Sequence, residues 1–225
     1  MPPRDLAGAT RRERSALRDQ GRSCDRRSDY GLPRKDLSNV VPGKEFARMT
    51  DVRTVHTADL DASTRAAART LLDGVFAGEM SDDDWEHALG GIHALVWEGA
   101  DLVGHASVVQ RRLLHHGRAL RAGYVEGVGV RADRRRRGHG AAMMEALERV
   151  IRGAYELGAL GATEEATELY AGRGWKRWQG PTSALTPAGV SRTEDDDGWV
   201  YVLPLTIPLD LDGELICDWR DGDVW

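Results

Sequence analysis

Alternating and helical patterns of apolar residues begin at residue 52. Residues 52–57 alternate in polarity, which predicts a β-strand. A helix follows, capped at its start by Asp59 or Asp61. Its apolar face repeats at helical spacing and consists of Ala68, Leu71, Leu72, Val75 and Phe76. Ser81, with Asp84 three residues later, matches a capping box and predicts a second, short helix.

The sequence pattern predicts mainly strands in the rest of the chain. Residues 93–97 and 102–109 are predicted to be two strands joined by a turn at 98–101, which makes a hairpin, and another turn leads into a long strand that ends at Val130. A helix follows that strand. The elements predicted after it are a short strand at 158–162, a helix at 164–172, and strands at 175–178 and 199–205, joined by a polar loop.

The strongest pattern lies between residues 124 and 155. Tyr124, Val128 and Val130 share the parity of one strand face. The following helix has an apolar face formed by Met143, Leu147, Val150, Ile151 and Ala154. The basic loop between them contains Gly138 and Gly140. A strand, a glycine-bearing loop and a helix in this order predict an anion site, because N–H groups at the helix start have no internal partner.

This loop is not a Walker A motif, because it lacks a Gly-Lys-Ser/Thr ending, and it has too few glycines for a dinucleotide fingerprint. One interpretation is a solvated basic turn that caps an ordinary βα unit. The pattern Arg135-x-x-Gly138-x-Gly140 after Val128-x-Val130 also resembles motif A of the GNAT acyl-CoA N-acyltransferases. That resemblance implies a mixed α/β GNAT fold. Its central, mostly antiparallel twisted sheet is flanked by helices and has a V-shaped opening between central strands.

The GNAT resemblance also implies acetyl-CoA as co-substrate, without a metal. The loop would cradle the pyrophosphate, and the strand before it would bind the pantetheine arm. A bulge near Gly127 or Gly129 would direct one backbone amide at the thioester oxygen. The residues expected to bind acetyl-CoA are Val128, Gly129, Val130, Arg135, Arg136, Arg137, Gly138, His139, Gly140 and Ala141.

Longer stretches sharpen the resemblance; they are residues 84–91, 123–128, 152–160, 169–175 and 217–225. Together they resemble the aminoglycoside 2'-N-acetyltransferases of mycobacteria and other actinobacteria, from about residue 51 onward. The resemblance implies direct attack of a 2'-amino group on the thioester, antibiotic resistance, a cytoplasmic location and a homodimer.

Glu126 and Tyr170 are the candidate catalytic residues. A carboxylate inside a strand is unusual unless it faces a cleft, so Glu126 is predicted to accept the ammonium proton, directly or through water. The alternative for Glu126 is a salt bridge at the rim. By resemblance Tyr170 protonates the departing thiolate, and the alternative is a tyrosine of the core.

A polycationic sugar should be recognised by carboxylates, whose charge-assisted hydrogen bonds are strong. The last residue, Trp225, is expected to be tucked in and to present its free carboxylate. Relative to the family pattern, Glu79 stands at an Asp position and Gly161 at a Ser position, so both are expected to shift substrate preference. The candidate substrate-binding residues are Glu79, Asp84, Glu126, Gly127, Gly161, Asp196, Asp223 and Trp225.

Charge is spread unevenly along the 225 residues, whose net charge is −5. Residues 1–50 hold 12 basic and 7 acidic side chains, which leaves 19 basic and 29 acidic, a net charge of −10, for the remainder. The acidic part should attract cations. Cys24 and Cys217 give neither a metal spacing nor a disulfide framework, which favours a reducing cytosol. No apolar run reaches the ~18 residues of a membrane span.

We predict two regions, a disordered basic extension at 1–48 and a GNAT domain at 49–225. The arginines of the extension could bind nucleic acid, but a disordered tail or codons upstream of the true start fit the composition better. Two functional alternatives stay open. One is a GNAT enzyme acting on another amine, such as a cell-wall amino sugar or a polyamine. The other is a non-catalytic protein that binds acyl-CoA or nucleic acid; no nucleic-acid partner is expected.

Overall fold

The computed structural model describes residues 51–225, and the predicted extension at 1–48 lies outside them. Its helices are α1 (Ala62–Val75), α2 (Asp82–His87), α3 (His139–Ala154) and α4 (Thr167–Ala171). Its strands are β1 (Val52–His56), β2 (Ile92–Glu98), β3 (Asp101–His115), β4 (Arg118–Val130), β5 (Leu157–Gly161), β6 (Lys176–Arg177), β7 (Thr182–Thr186), β8 (Gly189–Arg192), β9 (Val200–Pro204) and β10 (Leu215–Asp218). No helix of this part of the chain combines the length and apolarity needed to cross a membrane.

One mixed sheet organises the molecule. Its order is β6-β9-β5-β4-β3-β10-β7-β8, with β2 also paired to β3 and β1 paired to β2. All pairings are antiparallel except β4 with β5 and β10 with β7. The long strand β3 is shared, because its first half pairs with β2 and its end pairs with β10. This sharing brings the last strand of the sequence next to the centre of the sheet.

The sheet opens between β4 and β5. The two strands pair over three residues, from Ala122 with Leu157 to Tyr124 with Ala159. β4 then continues to Val130, whereas β5 continues alongside β9. Among the described strands, none pairs with β4 on this side beyond Tyr124. The predicted V-shaped opening is confirmed, and it leaves a free strand edge at the middle of the fold.

The helices form where the sequence pattern places them. Asp61 caps α1, and its carboxylate accepts a hydrogen bond from the Thr64 N–H at 2.7 Å. Ser81 and Asp84 form the predicted capping box at the start of α2. The predicted face of α3 is confirmed at Met143, Leu147 and Ile151, which are completely buried in the main core cluster, but Ala154 at the end of the helix is exposed. The second half of the chain fits the prediction less well.

The predicted parity of β4 is wrong. Tyr124 lies in one core cluster, whereas Val128 and Val130 pack against another, on the opposite face of the sheet. The reason is a β-bulge. His105 pairs with Gly129 and Ser107 with Glu126, so two residues of β4 oppose one residue of β3. The extra residue reverses the side-chain alternation of all that follow it.

Several predicted boundaries are also wrong. The strand predicted at 102–109 runs from Asp101 to His115, and the strand predicted at 175–178 is only Lys176–Arg177. The helix predicted at 164–172 is a 3-10 turn followed by α4. The loop predicted before residue 199 contains β7 and β8, and β10 was not predicted. β7 and β8 are only five and four residues long and show no alternation of buried and exposed positions, so the sequence pattern did not reveal them.

Candidate active site

A cavity of about 180 Å3 lies between the α1–α2 segment, β4 and the last residues of the chain. Six predicted substrate residues meet there: Glu79, Asp84, Glu126, Gly127, Asp223 and Trp225. Four of the six carry side-chain carboxylates, so the cavity is strongly acidic. Its other lining residues are Phe76, Met80, His87 and Arg220, none of which the sequence predicted to be part of a site. The cavity therefore joins residues that are up to about 150 positions apart in the sequence.

Glu126 is the most deeply placed carboxylate of this cavity. Its side chain is 14% exposed and forms an ion pair with the guanidinium of Arg220. Burial raises the pKa of Glu126, and the charge and hydrogen bond of Arg220 reduce this increase without cancelling it. Glu126 is thus neither a rim carboxylate in solvent nor an isolated buried acid. It is a paired carboxylate whose raised pKa suits proton transfer.

Arg220 connects Glu126 to the end of the chain. Its Nε–H donates to the carbonyl of Asp223 and its Nη2–H to the main-chain oxygen of Trp225, each at 2.8 Å. The same guanidinium lies over the ring of Tyr124, 5.5 Å from the centroid. Arg220 therefore fixes the position of the catalytic candidate and the fold of the final loop with one side chain.

Trp225 anchors the final loop. It is 6% exposed, and its indole Nε1–H donates to the hydroxyl of Thr193 at 2.9 Å. The carboxylate of Asp223 accepts the Trp225 N–H at 3.1 Å. The expectation that the last residue is tucked into the fold is confirmed.

Gly161 and Asp196 border this region without lining the cavity. A Cβ at Gly161 would lie 3.6 Å from the carbonyl carbon of Trp225 and 3.7 Å from the hydroxyl of Tyr124. The pKa of Asp196 is raised, first by burial and then by the negative charge of Asp223. Both residues are therefore neighbours of the final loop, as their candidate role requires.

The bulge in β4 lies directly beside Glu126. Gly127 has φ +57°, in the left-handed region that favours glycine. A Cβ there would approach the side chain of Leu72 to 3.2 Å. The prediction of a bulge near Gly127 or Gly129 is confirmed at Gly127, and it redirects the backbone where β4 leaves β5.

The basic loop after β4 presents backbone N–H groups. Gly138 caps α3 with φ +85°, and Arg136 has φ +61°. Within residues 51–225, no hydrogen bond uses the N–H groups of Arg136, Arg137, Gly138, Gly140 or Ala141. Such an array at the N-terminus of a 16-residue helix is suited to phosphate.

The arginines of this loop are not equivalent. Arg134 is committed to ion pairs with Glu98 and Asp133. The Nε–H of Arg135 donates to the carbonyl of Val130 at 3.2 Å, which closes the loop against the strand end. Arg136 is exposed and makes no ion pair with any residue of the described range. Arg136 is thus the arginine most available to an anionic ligand.

Tyr170 lies apart from the acidic cavity. It is 3% exposed on α4, and its ring centroid is 6.2 Å from that of Trp175 and 6.3 Å from that of Tyr201. Burial raises the pKa of Tyr170 to about 12. Tyr170 belongs to the core cluster against which Val128 and Val130 pack, whereas Glu126 faces the α1–α2 side. The two catalytic candidates therefore lie on opposite sides of β4, with the open strand edge between them.

Comparisons with known proteins agree with this architecture. A family model described as an acetyltransferase (GNAT) domain matches residues 52–177. The aminoglycoside 2'-N-acetyltransferase of Mycolicibacterium fortuitum is 52% identical over 198 residues, which covers 86% of this chain and all of the relative. The chain is a member of the GNAT acetyltransferases.

Two solved structures support the fold of this acetyltransferase. Escherichia coli ElaA is 19% identical, with a TM-score of 0.50 over 69% of this chain and 99% of that one. Eis1 from Mycobacterium abscessus is 20% identical, with the same TM-score over 60% of this chain and 34% of that one. At such identity these likenesses concern the fold alone.

GNAT acetyltransferases use acetyl-CoA, and the residues of this acetyltransferase fit that substrate. The unbonded N–H groups of the loop suit a pyrophosphate, and Arg136 suits a phosphate. The free edge of β4 suits an extended pantetheine arm, which can add to a strand as a peptide does. The open edge, the loop and the bulge are continuous along residues 125–141.

Sequence reasoning missed Arg220 and His87 in this acetyltransferase. Arg220 was part of the distinctive final stretch, and its signal was a lone cation among aspartates in an acidic domain. His87 ends α2, and its Nε2–H donates to the carbonyl of Asp221 at 2.8 Å. Burial lowers the pKa of His87. Only the folded chain shows that both residues hold the final loop against the cavity.

Proposed function

We propose that this acetyltransferase transfers the acetyl group of acetyl-CoA to the 2'-amino group of aminoglycoside antibiotics, and so confers resistance to them. The observation that carries the proposal is the acidic cavity beside the open edge of β4. Glu79, Asp84, Glu126 and Asp223 contribute four carboxylates to it. Aminoglycosides are polycations, and charge-assisted hydrogen bonds to carboxylates would hold several of their ammonium groups at once. The relative from Mycolicibacterium fortuitum is named for this activity.

The proton transfers would be divided between the two sides of β4. Acetyl-CoA supplies the acetyl group as an activated thioester. Glu126 would take a proton from the 2'-ammonium group, directly or through water, which frees the nitrogen lone pair. As the new N–C bond forms and the C–S bond breaks, Tyr170 would donate its proton to the departing sulfur. The nitrogen would then lose its second proton as the amide forms, and that proton would restore Tyr170 through solvent. Its pKa of about 12 keeps Tyr170 protonated, so it is ready to act as the acid.

Arg220 would keep Glu126 usable as a base. Burial favours the neutral form of the carboxyl by raising its pKa, and the guanidinium favours the charged form that can accept a proton. The carboxylate retains a second oxygen that can face the substrate. Arg220 would thus position the base without contacting the acetyl group.

The wider assignment follows the family resemblance. We propose that the acetyltransferase works in the cytoplasm as a homodimer, with an aminoglycoside or a related polycationic amine as its partner. Nucleic acid and membranes have no part in this proposal. The dimer is tested by light scattering of the purified chain during gel filtration.

The decisive experiment measures thiol release from acetyl-CoA with a paired panel of acceptors. Gentamicin and tobramycin carry a 2'-amino group, whereas kanamycin A and amikacin carry a 2'-hydroxyl. We expect turnover with the first pair only, which would establish the reaction and its position together. If neither pair is turned over although acetyl-CoA still binds, the aminoglycoside is not the acceptor. The protein would then be a GNAT enzyme that acts on another amine.

A further inference from the structure

A chain of hydrogen bonds crosses three strands and ends at the bulge beside Glu126. The hydroxyl of Thr57 is 2.7 Å from Nε2 of His93 on β2. Nδ1 of His93 is 2.9 Å from Nε2 of His105 on β3, and Nδ1 of His105 is 2.8 Å from the carbonyl oxygen of Gly127 on β4. Both histidines are completely buried. The catalytic scheme above uses neither of them.

We call the chain Thr57–His93–His105–Gly127 the histidine relay. The direction of each of its hydrogen bonds follows from the last acceptor, the carbonyl oxygen of Gly127. The Gly127 carbonyl can only accept, so Nδ1 of His105 carries its hydrogen. Nε2 of a neutral His105 then accepts, and the hydrogen between the rings lies on Nδ1 of His93. Nε2 of His93 accepts from the Thr57 hydroxyl, whose oxygen accepts the Gly90 N–H at 2.9 Å. The Gly91 carbonyl also lies near that hydroxyl, but at the longer distance of 3.2 Å.

Both rings are neutral, which the relay requires. Burial lowers the pKa of His105 to about 4. Burial, together with the charges of His105, His56 and Arg65, lowers the pKa of His93 to about 3. No ion pair or hydrogen bond within residues 51–225 joins either ring to a carboxylate. A second proton would also place two donors face to face between the rings. Each ring is therefore restricted to one tautomer.

The relay fixes the orientation of the whole peptide unit between Gly127 and Val128, and not only of the Gly127 carbonyl. The C=O of Gly127 and the N–H of Val128 belong to one planar trans peptide unit and point in opposite directions. A hydrogen bond that holds the carbonyl toward His105 holds the amide away from the histidines. Gly127 has φ +57° and no side chain of its own, so the hydrogen bond from His105 is what sets the orientation of its peptide unit.

We propose that His93 and His105 are positioning residues that hold the peptide unit of Gly127 and Val128 so that the Val128 N–H donates to the acetyl carbonyl oxygen. The inference rests on the acetyl transfer proposed above. An amide fixed in advance stabilises developing oxyanion charge without reorganising during the reaction. His105 acts on that amide through the carbonyl and touches neither substrate.

A matched pair of substitutions separates positioning from packing. In His105→Asn the side-chain amide takes the place of Nδ1–H and keeps the donor to Gly127. In His105→Gln the amide takes the place of Nε2 and keeps only the contact with His93. Thr57→Val is the remote variant, because it removes the first donor of the relay far from the cavity.

Two readouts are needed, and the first requires acetyl-CoA alone. The infrared C=O stretch of bound, carbonyl-labelled acetyl-CoA reports polarisation of the thioester. We expect a shift to lower frequency for the wild type and for His105→Asn, and a smaller shift for His105→Gln. An unshifted stretch in the wild type, or equal shifts in both variants, would overturn the proposal whether or not the aminoglycoside is the acceptor.

The second readout is turnover. Loss of one oxyanion donor costs about 10²–10³ in kcat, so a misdirected one should cost at least tenfold. We expect that loss in kcat for His105→Gln, a smaller one in the same direction for Thr57→Val, and recovery to within a few-fold for His105→Asn, with KM for acetyl-CoA little changed. Equal losses in His105→Asn and His105→Gln that follow their melting temperatures would show a structural role only. Failure of the wild type to acetylate any aminoglycoside would count against the proposed function, and the infrared result would still decide the relay.

Discussion

Glu126 shows how a single side chain is adjusted by two opposing effects. Burial favours its neutral form and Arg220 favours its charged form, and burial is the larger effect. The outcome is a carboxyl group with a pKa above the usual value for glutamate. A base with such a pKa gains driving force for accepting a proton, as long as the assay pH stays above it.

The raised pKa predicts a pH dependence. Glu126 must be deprotonated to accept a proton, so kcat/KM should fall as the pH drops through its pKa, at a higher pH than for an ordinary glutamate. Glu126→Gln should lower kcat/KM by about 10²–10⁴-fold and remove this acidic limb. Glu79→Gln is the matched control, since Glu79 lines the same cavity. This variant should raise the KM for the aminoglycoside and keep the acidic limb of the pH profile. If the fall of kcat/KM at acidic pH persists in Glu126→Gln, a group other than Glu126 is responsible for it.

Tyr170 makes a prediction of its own. Tyr170→Phe should lower kcat about 10²-fold, because the departing sulfur would lose its acid. Since the pKa is about 12, Tyr170 should produce no basic limb below pH 10 in the rate profile. Tyr201→Phe is the control, because that buried ring is a neighbour of Tyr170 in the same cluster. Equal losses in the two variants would argue for packing instead of proton transfer.

At the scale of secondary-structure elements, the bulge in β4 has the largest effect on the arrangement of the site. It reverses the side-chain alternation, so Glu126 faces the cavity while Val128 and Val130 face the core of α3. A regular strand with this sequence would place those three side chains on the same face. One extra residue therefore allows the strand to line the acidic cavity on one side and support the core on the other.

Gly127 allows the bulge to be tested with a matched glycine. Gly127→Ala and Gly99→Ala both place a Cβ at positive φ, which costs about 1–2 kcal/mol in the free energy of unfolding. Gly99 lies in the β2–β3 turn with open space around it, whereas Gly127 is crowded by Leu72. Both variants should be destabilised, but only Gly127→Ala should also lose kcat. Chemical denaturation and steady-state kinetics check the two effects separately, and full activity in Gly127→Ala would refute the role of the bulge.

Some of this arrangement could be read from the sequence, and some could not. The helix face around Met143 and the loop at Gly138 are local patterns, so spacing predicted them. The parity of Val128 and Val130 was wrong, because a bulge forms from the pairing with β3 and leaves no local signal beyond a glycine. The strands β7, β8 and β10 are held by partners far away in sequence. Arg220 was missed for the same reason, since its partner Glu126 is 94 residues away.

At the scale of the whole molecule, the final loop completes the cavity. Trp225→Ala should cost about 3–5 kcal/mol in the free energy of unfolding, because it empties a site that is 94% buried. It should also raise the KM for the aminoglycoside by releasing Asp223 and Arg220. Trp225→Phe keeps most of the buried area and loses only the bond to Thr193, so it should cost about 1 kcal/mol. Chemical denaturation and steady-state kinetics of the two variants check these effects. A Trp225→Ala variant with the same free energy of unfolding as the wild type would contradict the prediction.

The sharing of β3 between β2 and β10 has a consequence for the order of folding. The loop, α3 and the end of β4 are contiguous in sequence, so the side that would receive acetyl-CoA can assemble from local contacts. The acidic cavity, which would receive the aminoglycoside, depends on contacts such as Arg111 with Asp218 and His87 with Asp221, which are 107 and 134 residues apart. Closing such long loops is entropically costly and slow. During refolding, acetyl-CoA binding should therefore return before aminoglycoside binding does.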